Sequence, residues 1–463
     1  MKSYHALFLL LVAICILLTV FIFQPGYMNA DAVDQLGQAH SGIYNDWHPP
    51  VMSWLWSWLD KIVPGPMGMF VLQVVLFWIS LGMFAALAFQ KPINRFLFLL
   101  LGFYPPLFML LSTVVKDVLM TAVFLFGFAL ILIAGEKRSP VFLLAGMVFL
   151  AYGTLTRHNA ILAVLPLFLY AGWVFINLYP AFMSRFSVRW RPILAGFAFL
   201  GVFLVLGNIW SGSLTKVKSY PFQQIMVHDL TGISLTLKTD FLPDYLASSE
   251  QPSMKDLRHI YQTRSVKNLY WPDFTSIHFK ILYEPTEVWD LANTWFATVM
   301  KYPRAYLDHR TKVFAATMGV SINKSCGPYY YEETIYKPKG YYQSDGNYYS
   351  ESKITNSLFT MIEPLRESPL YWNWLYVFSS LLIFISSLTL LFKQSGRQNA
   401  IIALVLSASG TLYGLGYFFA ATACDFRMVH WNVAVTLISA VFLFLPSAKK
   451  ESGYLAVLSG SVK

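Results

Sequence analysis

Apolar runs of about 18 to 25 residues, each long enough to cross a hydrocarbon layer of about 30 Å, recur near 4–23, 67–89, 96–113, 118–135, 140–156, 160–178, 193–212, 370–392, 399–420 and 432–447. In lipid, a helix satisfies its own backbone polar groups. The pattern therefore predicts an all-α polytopic membrane protein of about ten transmembrane helices. Composition agrees: 56% of the 463 residues are hydrophobic and only 13% are charged. The 38 Phe, 27 Tyr and 14 Trp suit lipid-facing surfaces and interfacial belts. A net charge of +10 could suggest a nucleic-acid partner, but the basic residues sit in short clusters between apolar runs. The positive-inside rule accounts for that placement, so no nucleic acid is expected. Cys15, Cys326 and Cys424 form neither a CxxC pair nor a metal-ligand spacing.

Lys2, Lys91, Arg95, Lys137, Arg138, Arg185, Arg189, Arg191, Lys393, Arg397, Lys449 and Lys450 all fall on one side if the chain alternates. That side is then the cytoplasm, with both termini on it. Ala30 and Ala32 resemble a signal-peptide cleavage site, but the first run is long for a signal peptide's apolar core and is read as a helix. The opposite side carries an opening loop at about 24–66, three short turns and one long insert from about 213 to 369. These mark three stretches: helices one to seven within 1–212, an outer domain at 213–369 and the last three helices within 370–463. The insert is polar, rich in Tyr and Pro, and reads as a partly helical outer domain. Within it Trp295, Val299, Tyr302 and Tyr306 fall at helical spacing. That face either packs into the insert's core, the reading favoured here, or lies along the membrane or covers the site. Pro303 either starts a second helix or kinks a continuous one.

Charges on the outer side are the informative ones, because near helix ends they must be paired or used. The short outer turns contain Lys116–Asp117, Arg157–His158–Asn159, and Asp425, Arg427 and His430. The opening loop NADAVDQLGQAHSGIYNDWHPP adds Asp31, Asp34, Asp46 and His48. Together these predict an outer site where Lys116, Arg157 and Arg427 hold an anion and a carboxylate serves as base. Simpler roles stand beside that one. Lys116 with Asp117, and Arg427 with Asp425, would equally serve as structural ion pairs. Asn45 and Asp46 would serve as helix caps. Pro49 and Pro50 steer the chain into a helix start. Arg157 is the hardest to explain structurally, since so short and apolar a turn has no need of a guanidinium.

The combination of DAVDQ, WHPP, KD at 116–117, RHN at 157–159 and DFRM at 425–428 resembles the GT-C membrane glycosyltransferases. Within them it is most similar to bacterial enzymes that modify O-antigen or wall polymers. Asp31, the spaced Gln35 and Ala39, and His48 to Pro50 carry the likeness in the first loop. The segments HDLTGIS (228–234) and KYPRAYLDHR (301–310) extend it into the insert. The resemblance implies a multi-pass protein of a bacterial inner membrane, working on the periplasmic face. It implies transfer of a sugar, with glucose the leading candidate, from a polyprenyl-phosphate donor to a glycan hydroxyl by inverting displacement. Asp31 would be the base and Asp34 its rival, one helical turn away if the stretch is helical. Lys116, Arg157, Arg427 and Arg310 would hold the donor phosphate, with Gln35, His48, Asp117, His158 and Asp425 as further polar groups. Monophosphate donors of this kind generally need no metal, so none is expected. The Tyr-dense segment from Cys326 to Ser350 suits either a glycan groove or a membrane interface. Cys326 and Cys424 can pair on an oxidising side. Two competing functions remain: an O-antigen polymerase or ligase, expected to rely on outer-loop arginines, and a lipid-linked-sugar transporter, expected to show mid-membrane charges and repeats.

Overall fold

The computed structural model describes residues 2–182, 184–272, 275–320, 326–327, 353–392 and 397–445. The chain forms α1 (Lys2–Phe23), α2 (Ala30–Ser41), α3 (Pro50–Asp60), α4 (Met67–Ala88), α5 (Pro92–Leu99), α6 (Pro105–Leu111), α7 (Lys116–Lys137), α8 (Pro140–Leu155), α9 (Ile161–Leu178) and α10 (Arg191–Leu214). The insert follows as α11 (Gln223–Leu237), α12 (Met254–Ile260), α13 (Lys267–Tyr270), α14 (Pro285–Lys301), α15 (Pro303–Thr317) and α16 (Lys353–Ile362). Then come α17 (Asn373–Phe392), α18 (Arg397–Ala420) and α19 (His430–Phe444). The protein is all-α and polytopic: among the described residues eight helices are long and apolar enough to cross a membrane.

The run at 96–113 is not one helix. Pro105 and Pro106 cannot continue the preceding turn, and the chain bends by 66° between Pro92–Phe103 and Pro105–Leu111. The bent pair nevertheless joins both ends of the bundle. At one end the Arg95 guanidinium lies 5.7 Å from the ring of Phe8, near the start of α1. At the other, Tyr27, just beyond α1, donates its N–H to Ser112 O at 2.8 Å and accepts from Val114 N at 2.7 Å. Gly26 fixes that exit, because at φ +95° a Cβ there would stand 2.8 Å from the Cβ of Phe70. The 16-residue α8 is shorter than the eight spanning helices. It packs closely on α7, since a Cβ on Gly146 would come within 2.6 Å of Gly127 O.

The connection from α10 to α11, the insert, and the α8–α9 and α18–α19 turns gather at the end that carries α2. The insert has its own core, centred on Leu230, Leu246, Leu257, Leu269, Leu282 and Leu291. Its later part joins the bundle instead: Val313, Met318, Phe359 and Ile362 belong to the membrane core. Pro303 starts α15 as its first residue. Trp295 faces inward, donating Nε1–H to Asp229 Oδ2 at 2.9 Å, and Tyr302 packs on Phe241 at 5.2 Å. Core packing thus accounts for those aromatics. A short parallel pairing of Tyr44–Asn45 with Thr215–Val217 stitches the opening loop to the insert.

Candidate functional site

The stretch that holds both acidic candidates is helical for local reasons. Asn29 caps α2 by accepting the Ala32 N–H at 3.0 Å, and Gly42 closes it in the left-handed conformation at φ +66°. Asp31 therefore sits in the first turn, where the helix dipole favours a carboxylate. Asp34 follows one turn later.

Asp31 meets cations brought from separate parts of the chain. Its Oδ2 stands 2.8 Å from an Arg427 terminal nitrogen and 3.6 Å from Lys116 Nζ, while Oδ1 lies 3.8 Å from His48 Nε2. Lys116 Nζ also lies 2.8 Å from His48 Nδ1. An ammonium can only donate, so Nδ1 accepts and the ring proton is on Nε2, facing Asp31. Arg157 pairs with Asp117 and donates Nε–H to Asn159 Oδ1 at 2.7 Å. Asp117 is buried beneath the cluster and also lies 3.9 Å from Arg427 Nε. Asp425 accepts from Arg427 Nε at 2.8 Å and caps the short turn through the Arg427 N–H at 3.2 Å. The two acids hold the guanidinium groups from behind and beside, leaving faces of Lys116, Arg157 and Arg427 on a cleft of about 1930 Å³.

The Arg427 turn is clamped from the insert. Cys326 and Cys424 form a disulfide with Cα atoms 5.0 Å apart. Phe426 N–H donates to Gly327 O at 3.2 Å, Cys424 N–H to Arg264 O at 2.8 Å and Val266 N–H to Thr422 O at 2.8 Å. The rest of the tyrosine-dense segment, 328–350, lies outside the described residues.

Protonation follows from these contacts. Burial alone would raise the Asp31 carboxyl, but Arg427 and Lys116 outweigh it and hold it well below the usual carboxylate range. Asp34, with its side chain toward the cleft, moves the other way: partial desolvation raises it, the Gln38 amide at 2.7 Å opposes, and the Asp31 charge raises it further. Burial, reinforced by Lys116, lowers His48 to about 3, and burial with Lys116 lowers His158 to about 4. Both rings are neutral near pH 7 and are not phosphate-binding cations.

The structure thus brings together Asp31, Asp34, His48, Lys116, Arg157, His158, Asp425 and Arg427 on one cleft. Three expected site residues stand elsewhere. Asp117 lies under the floor, and Gln35 is wholly buried in α2. Arg310 is sealed in the insert, with Nε 2.7 Å from Asp229 Oδ1 and a terminal N–H donated to Ala421 O at 2.9 Å. It does not reach the cleft because Asp229, distant in sequence, already holds it. Asp46 does not cap α3, whose N-cap is Pro49. It accepts from the backbone and hydroxyl of Ser219 and joins loop to insert. Sequence reasoning missed the aromatic side chains that line the same cleft, including Trp47, Trp271, Tyr283 and Trp289. Only Trp47, within WHPP, stood near a recognised motif. Among the described residues no group of three or more His, Cys, Asp or Glu side chains is arranged to hold a metal ion.

No protein-family model matches the chain, and comparisons with curated proteins and with solved structures likewise find no match.

Proposed function

We propose that the protein is an inverting glycosyltransferase that moves a sugar from a polyprenyl-phosphate donor to a hydroxyl of a cell-surface glycan, on the periplasmic face of a bacterial inner membrane. The observation that carries this reading is the contact of one carboxylate, Asp31, with both Lys116 and Arg427 on a cleft at the end of the apolar helices. An acceptor oxygen attacks the anomeric carbon, the bond from that carbon to phosphate oxygen breaks, and the hydroxyl proton passes to Asp31. The donor phosphodiester carries one negative charge. The released monoester carries between one and two, its second pKa being about 6.

Negative charge therefore moves from Asp31 to the leaving phosphate, while the same cations face both. Lys116 and Arg427 hold Asp31 before reaction and the phosphate as it departs, so their stabilisation passes from the carboxylate to the oxygens on which charge gathers. A donor phosphate that draws these cations toward itself also loosens their hold on Asp31, raising its basicity when a proton must be taken. Asp34, already raised and open to the cleft, is the competing base.

The test supplies purified protein with a labelled polyprenyl-phosphate hexose, glucose first, and an envelope glycan acceptor. Transfer by the wild type, lost in Asp31→Asn and retained in Asp34→Asn, is the expected result. The reverse pattern would move the base to Asp34. Absence of transfer from every lipid donor would turn the assignment toward polymerase or transport.

A further inference from the structure

The charged floor occupies only part of the cleft. Its volume of about 1930 Å³ exceeds the roughly 300–1,000 Å³ of a small-molecule pocket, so it has room for more than a donor phosphate and one sugar. The insert's share of the lining includes Trp271, Tyr283 and Trp289, which are left 45%, 53% and 70% exposed. Rings left this open, on a lining that also carries the Gln224 and Asn268 amides, are not core residues that lack cover.

The wall is also built. Gln223, fully buried, donates from Nε2 to Ser219 O at 2.6 Å and to Leu282 O at 3.0 Å, and accepts the Leu282 N–H at 2.8 Å. One amide thereby fixes the segments that carry Tyr220 and Tyr283. Tyr220 is held at φ +47°, a conformation that bulky residues seldom adopt, between Ser219, which Asp46 anchors, and Pro221. Trp271 is set edge-to-face against Trp47 of the opening loop, ring centres 5.7 Å apart, so the aromatic wall touches the segment that leads into His48.

We propose that this wall is an oligosaccharide subsite, in which Trp271, Tyr283 and Trp289 stack on sugar rings of the acceptor glycan while the Gln224 and Asn268 amides of the same lining meet its hydroxyls. The proposal rests on the transfer reading above and gives it an acceptor of several linked sugars. A sugar ring offers an apolar C–H face and a rim of hydroxyls, which matches aromatic surface interleaved with donors and acceptors. A prenyl chain would cover the Gln224 and Asn268 amides without returning their hydrogen bonds.

The experiment titrates the full-length purified chain, without donor, with short oligosaccharides released from the envelope glycan of the producing cell, and separately with undecaprenyl phosphate. Trp271→Ala and Tyr283→Ala should each weaken oligosaccharide binding about tenfold, Trp271→Phe should retain most of it, and undecaprenyl phosphate binding should not change. Both side chains are substantially exposed, and thermal unfolding confirms that the variants are folded. The subsite is overturned if the wild type binds no oligosaccharide, if the alanine variants bind it normally, or if they lose undecaprenyl phosphate instead. Ring-dependent glycan binding without transfer from any lipid donor sinks the transferase reading alone. Transfer with an unchanged acceptor KM in the alanine variants sinks the subsite alone.

Discussion

Two clusters in this molecule use the same vocabulary and lead to different conclusions. In the cleft, Asp31 meets Arg427, Lys116 and His48. Inside the insert, Asp229 meets Arg310 at 2.7 Å and His309 at 3.0 Å, with Trp295 on its second oxygen and Tyr261 on His309 Nδ1 at 2.9 Å. Asp229, His309 and Arg310 are wholly buried and every direction around the carboxylate is taken by protein. The Asp31 side chain keeps 29% of its surface and shares its cations with open space. A sealed ion cluster can only hold structure together, whereas one with a free side can exchange an internal counter-ion for a ligand. Accessibility, not residue type, separates the two.

The largest effect should come from opening the sealed cluster. Removing one partner of a buried pair leaves the other charge uncompensated, at about 3–5 kcal/mol. Asp229→Asn or Arg310→Met should therefore sharply lower the thermal unfolding midpoint in detergent, and any loss of transfer should follow the loss of folded protein. Retained stability in both variants would break the contrast between the clusters.

In the cleft the same kind of change should act on chemistry. Arg427→Gln removes a cation from the position where the leaving phosphate gathers charge, so transfer should fall about 10²–10³-fold. Its stability loss should stay near 1 kcal/mol, the range of partly solvated pairs. Turnover at matched folded concentration separates the two effects, and a pure stability loss would make the cleft cluster as structural as the buried one.

The sequence made some of this contrast legible. Apolar runs gave the helices because lipid leaves the backbone few alternatives. Lys116, Arg157 and Arg427 could be grouped because each lies in a short turn on the same side, so topology alone brings them near. Arg310 could not be sorted from them: its partner Asp229 comes from another helix, and no local pattern shows that the pair is buried. The same limit hid Asp46, whose partner Ser219 is brought by the parallel pairing at Thr215–Val217. The aromatic wall was invisible because its rings are scattered between Trp47 and Trp289 and converge only through the fold. The bend at 104–106 was local, and its Tyr-Pro-Pro sequence could have been read as a break.

Acid should weaken both regions before it reaches their carboxylates. Burial lowers His48 and His228 each to about 3, against about 6.5 in an unfolded chain. Between those values the unfolded state binds protons that the folded state refuses. Stability is therefore complete above about pH 6.5 and falls as pH drops, by up to about 1.4 kcal/mol per pH unit for each ring. Despite burial, Asp31 is lowered by Arg427 and Lys116, and Asp229 by the His309 hydrogen bond and the Arg310 charge. Their contributions hold above about pH 4, the unfolded carboxylate value, and are lost only in stronger acid. Unfolding midpoints measured from pH 7 to about 5.5 thus read chiefly the histidines held neutral, His158 with His48 and His228, because Asp34, raised by burial, opposes the slope only in stronger acid. His228→Asn should flatten that slope from the insert and His48→Asn from the cleft. An unchanged slope in both would show that neither ring is held neutral.

The smallest change should separate positioning from stability most finely. Asn29 holds the first turn of α2 through the Ala32 N–H, and Asp31 lies within that turn. Asn29→Ala removes the cap, a loss of about 1 kcal/mol, while Asn29→Asp keeps an acceptor. If the cap aims Asp31 at the acceptor proton, fraying the turn leaves the cations in place but spreads the carboxylate over several directions. Transfer should then fall about five- to tenfold, since about 1 kcal/mol of lost alignment enters the barrier directly. Global stability should shift by only a few degrees, and Asn29→Asp should restore most of the rate. The buried Asp229 cluster has no counterpart to this dependence, because its geometry is fixed on all sides by packing and not by one helix end. Full activity in Asn29→Ala would mean that Lys116 and Arg427 alone fix Asp31, with the cap contributing only to the fold.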